Sequence, residues 1–214
     1  MNQFLNEVVQ KSMGPGRTHM QYQHRYERDT FAALSQAGNS ALPEFAHRIH
    51  EERQQRAFNF QLRTSEDVNP KLGIPPNAPH PVLARIIKLR LADLDILSAH
   101  NATYDMRLSV NIEFDMTKCG LDVQDLVVPA AVDKDRQPAR HKNRLSYSHL
   151  GYQIDLTQVS VEGESEKKHE LEVEVDAVRL REQALMLLNG RESAFEELVE
   201  GLLSNCSLLM RVGG

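Results

Sequence analysis

Between residues 169 and 176, Glu170, Glu172, Glu174 and Asp176 alternate with Leu171, Val173 and Val175. A strand sends successive side chains to opposite faces, so the four carboxylates share one face and the apolar residues the other. Neighbours on that face sit about 7 Å apart. Four such charges repel one another unless water screens them or cations lie among them. Upstream, Arg140, Lys142 and Arg144 alternate with His141 and Asn143, which puts three cations on one face of another strand. An acidic and a basic strand in one sheet suit a metal and a polyanion. Carboxylates take hard ions such as magnesium or manganese, Arg offers phosphate a planar fork of donors, and Lys adds a compact charge. Phosphoryl transfer to water is the chemistry this combination fits.

For any one strand the bland account also stands: a solvated outer face of an antiparallel sheet. Sorting of charge by strand argues for a site, because exposed ion pairs gain little from being ordered. A third strand-like stretch mixes Asp105, Arg107, Asn111 and Glu113 on its polar side. An inside-out barrel, polar within and apolar towards covering helices, accounts for all three. Other chemistries find no support. The chain has no Gly-rich Walker loop, no zinc-protease spacing among its nine histidines and no nucleophile elbow.

Bulk properties set the frame. The chain has 214 residues, enough for one sizeable core, so a single domain over 1–214 is expected. With 41% hydrophobic and 26% charged residues it reads as an ordinary soluble protein. A net charge of −5 argues against blanket binding to nucleic acid, so a polyanion has to meet a local basic patch. Two cysteines, Cys119 and Cys206, give no disulfide framework, and a reducing intracellular compartment is expected. The amino terminus lacks a basic region followed by an apolar run, so no secretory signal is expected. No stretch approaches the roughly 20 apolar residues of a membrane span.

The elements that position these residues follow from periodicity. Residues 4–11 suit a short helix ended by Met13-Gly14-Pro15-Gly16. Residues 22–34 are mixed, a strand running into a loop. Residues 44–56 read as an exposed helix, 58–62 alternate like a strand, and the five prolines of 69–81 mark a loop. From residue 82 the chain is strand-rich: 82–98, 104–115, 140–148, 151–160 and 168–176. Helices close it over 177–210, where Phe195, Leu198, Val199, Leu202, Leu203 and Cys206 follow amphipathic spacing. The fold class is α+β, with its strand-rich core at 82–176.

Four segments carry a family resemblance: residues 104–113 (YDMRLSVNIE), 140–149 (RHKNRLSYSH), 154–159 (IDLTQV) and 169–174 (HELEVE), in that order. Weaker echoes lie at Tyr22-Gln23-His24, Glu27-Arg28-Asp29 with Phe31, residues 63–67 and Lys88-Leu89-Arg90. Together they resemble the fungal mRNA 5′-triphosphatases, the beta subunits of mRNA-capping enzymes within the triphosphate tunnel metalloenzymes. The resemblance spans about residues 22–176. It implies an antiparallel eight-stranded β-barrel, a tunnel with a polar interior and packing helices. It also implies a hydrolase that removes the γ-phosphate from triphosphate-ended nascent RNA with Mg2+ or Mn2+. By position Glu170, Glu172 and Glu174 match the carboxy-terminal glutamate motif, with Glu174 and Glu172 at the metal. Arg90, Arg107, Lys142 and Arg144 would hold phosphate, supported by Arg140, with Asp155 and Thr157 bracing them. Nuclear location, an mRNA guanylyltransferase partner and possible homodimerisation follow from the resemblance too; no membrane association is expected.

Two departures stand out. Gln153 occupies a position that is usually basic in the family. Such proteins also carry an amino-terminal strand with two alternating glutamates that complete the metal cage, and no Glu-x-Glu precedes Glu162 here. The expectation is therefore a barrel without that strand, with two sheet edges exposed, weak metal binding and little activity for residues 1–214 alone. The alternatives are a catalytically incomplete subunit that binds a polyanion or a partner, and a tunnel phosphatase acting on free triphosphate.

Overall fold

The computed structural model describes residues 1–53, 60–75, 78–97, 105–117, 119–134 and 136–213. In chain order its elements are α1 (Asn2–Ser12), β1 (Gln21–Ala33), α2 (Gln36–Ser40), α3 (Glu44–Arg53), β2 (Gln61–Asp67), β3 (Val82–Ile96), β4 (Met106–Asp115), α4 (Val123–Leu126), β5 (Arg140–His149), β6 (Tyr152–Val161), β7 (Lys167–Val175), α5 (Ala177–Leu188) and α6 (Phe195–Gly213). Expected positions 54–56 of the exposed helix, 58–59 of the alternating segment, Pro76, Ser98 and Tyr104 lie outside the described residues.

Seven strands form one antiparallel sheet in the order β4-β3-β2-β1-β5-β6-β7. It curls into a half-barrel, far enough for Glu113 on β4 to act on Glu174 on β7, although these are the two edge strands. The family's eight-stranded barrel was expected to lack one strand in this chain, and the described residues hold seven strands in one antiparallel sheet, curled but not closed. Closure needs the last strand to pair with the first, and no ladder joins β4 to β7.

The centre of the sheet is β1, continuous for 13 residues. A strand running into a loop was expected there. Two long neighbours explain the difference: β2 pairs with Glu27 to Ala33 and β5 with Gln21 to Asp29, so every part of β1 has a ladder partner. β5 and β6 meet through the two-residue turn Leu150-Gly151, both at positive φ (52° and 87°). That geometry matches the twist of a tight hairpin.

Helices cover the apolar sheet face in two places. Leu62, Ile87 and Leu89 of β2 and β3 pack with Leu42, Ala46 and Leu126 from the α2–α4 side. Tyr147 and Ile154 of β5 and β6 pack with Leu5 and Val9 of α1 and Leu209 of α6. Tyr147 is fully buried, and its hydroxyl lies 2.7 Å from Asn2 Oδ1 and 2.9 Å from Asn6 Oδ1, which ties α1 to the sheet. On α6, Leu198 is buried while Leu203 stays exposed, so its expected apolar stripe is covered only in part. The opposite sheet face carries the alternating charges, and both apolar clusters leave it free.

Candidate functional site

Register decides which charges meet. Arg140, Lys142 and Arg144 of β5 lie beside β1 on one side and β6 on the other. From β1 come Glu27 and Asp29, both buried; from β6 comes Asp155, 1% exposed. Lys142 Nζ sits 2.6 Å from Asp29 Oδ2, and the Ser65 hydroxyl donates to Asp29 Oδ1 at 2.6 Å. Burial alone would raise the Asp29 pKa, but the Lys142 ammonium and the Ser65 hydroxyl outweigh it and hold the carboxyl below its usual range.

Arg144 binds acids from three strands. Its Nη1 donates to Asp155 at 2.8 Å, while Nε lies 3.6 Å from Glu27 and Nη2 3.9 Å from Glu172 on β7. Burial works against its charge, yet Glu27, Asp155, Glu172 and Glu174 together raise its pKa. One guanidinium therefore ties β1, β6 and β7 to β5. Gln153, where a basic residue was expected, donates its amide to both Asp155 oxygens at 3.2 and 3.0 Å. A neutral donor replaces the ion pair there. Two hydroxyls, Ser146 Oγ opposite Asp155 and Thr157 Oγ1 opposite Arg144, are buried without a hydrogen-bond partner among the described residues.

Glu170, Glu172 and Glu174 pair across from Thr157, Asp155 and Gln153. Loss of hydration comes first in raising the Glu174 pKa, then Glu172, Asp155 and Glu113, with Arg144 pulling the other way. The glutamates form an acidic wall on β7, one strand beyond the cationic β5 across β6. Among the described residues, no three His, Cys, Asp or Glu side chains form a group that could hold a metal ion.

Arg90 and Arg107 stand apart from this cluster. Beyond residue 87, β3 leaves β2 and continues with β4 as a two-stranded ribbon. On it Arg107 pairs with Asp95 at 2.6 Å and Arg90 with Asp93 at 3.4 Å. All four side chains reach solvent. Glu27, Asp29 and Ser65 lie in segments that the sequence offered only as echoes of the family, and no site role was read for them. A search for carboxylates two apart, admitting Asp as well as Glu, would have found the first two.

A curled antiparallel sheet with cations and carboxylates interlocked on one face, and helices on the other, sets the class of protein. Within that class the chain belongs to the mRNA capping enzyme beta chain family, whose profile matches residues 1–212. It is similar to the mRNA-capping enzyme subunit beta of Schizosaccharomyces pombe, 26% identical over 218 residues, covering 99% of this chain and 57% of that protein. Two solved structures of the S. pombe Pct1 RNA triphosphatase are also similar. One, in complex with the Spt5 CTD, has a TM-score of 0.68; the other, without it, 0.66. Each is 25% identical and covers 98% of this chain and 66% of the other. This chain therefore spans a little over half the length of its curated relative.

Proposed function

We propose that the charged face hydrolyses the γ-phosphate from the 5′-triphosphate end of nascent mRNA, leaving a 5′-diphosphate end as the first step of capping. Water adds to the γ-phosphorus, the bond to the bridging oxygen breaks, and inorganic phosphate leaves. The observation that supports this most is the Lys142–Arg144 pair, held by buried acids beside the glutamate wall of a family member. Positioned cations stabilise charge on a transferring phosphoryl group without reorganising, which is most of what such a reaction asks of a protein. Arg140 extends the cationic row, Asp155 and Gln153 fix Arg144, and Thr157 offers a hydroxyl. Glu172 and Glu174 are the proposed ligands for Mg2+ or Mn2+. Two carboxylates alone do not build a cation site, so further donors are required and no step is routed through the ion.

The absence of a three-donor group among the described residues favours a second reading, a subunit that binds triphosphate without turnover. Release of phosphate from triphosphate-ended RNA in the presence of manganese separates the two. Hydrolysis that falls about a hundredfold in Glu174→Ala supports the enzyme; hydrolysis untouched by that change sinks it. Binding without any release supports the second reading. A guanylyltransferase partner, action in the nucleus and homodimerisation are proposed from family membership. No helix among the described residues is long and apolar enough to cross a membrane.

A further inference from the structure

The three cations of β5 are each met by a residue of β1 one diagonal step away. Arg144 meets Glu27, Lys142 meets Asp29, and Arg140 meets Phe31. The third rung breaks the pattern. Arg140 makes no ion pair among the described residues; its guanidinium carbon lies 5.1 Å from the centre of the Phe31 ring. Phe31 belongs to neither apolar cluster. It lies on the charged face, in register with Arg63 of β2. Around it that face mixes apolar side chains with the charged ones. Val161 is opposite Arg140, and Ile86 is opposite Arg63. The face thus runs from carboxylates, through cations with buried counter-charges, to an aromatic floor under a cation that has none.

The geometry points to Phe31 and Arg140 as a stacking platform for the first nucleoside of the RNA, an assignment that rests on the triphosphatase reading above. A guanidinium held on an aromatic ring presents a delocalised plane on which a base can stack, and its N–H edges remain open to phosphate or ribose oxygens. Arg140 and Arg144 stand four positions apart, about 13 Å along a strand. That spacing lets a terminal phosphate lie near Arg144 while the nucleoside reaches Arg140. Stacking tolerates any base, as an enzyme acting on all transcripts requires. Simple core filling does not account for Phe31, because among the described residues the helices pack on the other face and a charged side chain occupies one side of the ring.

The test is calorimetric titration of the 214-residue chain with two probes, inorganic triphosphate and guanosine 5′-triphosphate. Stacking predicts that the nucleotide binds about tenfold tighter. Phe31→Leu should bring the two affinities within about twofold while leaving inorganic triphosphate binding unchanged. Arg140→Lys, which keeps charge but loses the plane, should also shrink the ratio. Equal affinities in the parent chain, or a ratio that persists in both variants, overturns the platform and leaves the phosphate reading intact. Binding of neither probe overturns both. A melting curve for each variant confirms folding; should Phe31→Leu not fold, the Arg140→Lys ratio decides.

Discussion

Asp29 and Glu174 carry opposite consequences for stability because the fold shifts their carboxyls in opposite directions. The Asp29 pKa is depressed, so its contribution is complete above an unfolded value of about 4 and is lost as pH falls through the lower folded value. Asp29→Asn leaves Lys142 nearly buried beside a neutral amide, and urea unfolding at pH 7 should show a loss of about 2–3 kcal/mol. The parent and variant curves should converge in acid. Glu174 is raised, so its ionised form is disfavoured in the folded chain. Glu174→Gln should melt higher than the parent at pH 8 and equal to it below about pH 4, while phosphate release is lost. At a proposed metal ligand, an ionised form disfavoured in this way would trade stability for activity. The glutamate wall was legible because period-2 alternation needs no knowledge of neighbours. Glu27 and Asp29 were not. Around them Arg25, Tyr26, Arg28 and Thr30 make both faces of the strand polar, so no hydrophobic period marks which side turns inward.

Helix docking depends on two close approaches. A Cβ added to Gly201 would meet the Tyr152 hydroxyl at 2.2 Å, where that hydroxyl donates to Leu198 O. Gly201→Ala should therefore cost about 1–3 kcal/mol of unfolding free energy. Gly38 is tighter, its added Cβ meeting a backbone atom, Leu126 O, at 2.1 Å. Backbone cannot swing aside as a tyrosine ring can. Gly38→Ala should be the more damaging of the two, read by thermal melting side by side. Neither α2 nor α4 was legible in the sequence. Four or five residues complete barely one turn, too few for an apolar stripe, and both are held by Ser35 and Asp122 side chains capping their first turns. Long strands fared better: β4, β5, β6 and β7 stand within a residue or two of where alternation placed them, since a run of ten repeats its pattern five times.

At the scale of the molecule, a half-barrel has two edge strands with unpaired backbone. Unpaired edges invite pairing with other chains unless charge discourages it. β7 carries Lys167, Lys168 and three glutamates, and β4 carries Arg107, Glu113 and Asp115, so each edge is net negative and two chains of net charge −5 repel on approach. Raising ionic strength shortens the reach of that repulsion. Light scattering at 1 M salt should therefore show more self-association than at 0.1 M, and a flat response would rule out charge as the guard. Edge status was legible only as an inference from resemblance, because one strand's sequence does not reveal its neighbour across a curled sheet. The turn at Leu150-Gly151 matters here in another way. Leucine is strained at φ 52°, yet a two-residue loop allows the hairpin one alignment. A slip of one residue between β5 and β6 would carry Lys142 and Arg144 to the helix-covered side and His141 and Asn143 to the charged one. In assembly, that local hairpin can set early in folding, before distant β1 arrives with its acids. The turn thus works as a folding-time alignment pin, fixing which way the cations point before any counter-charge is present to hold them.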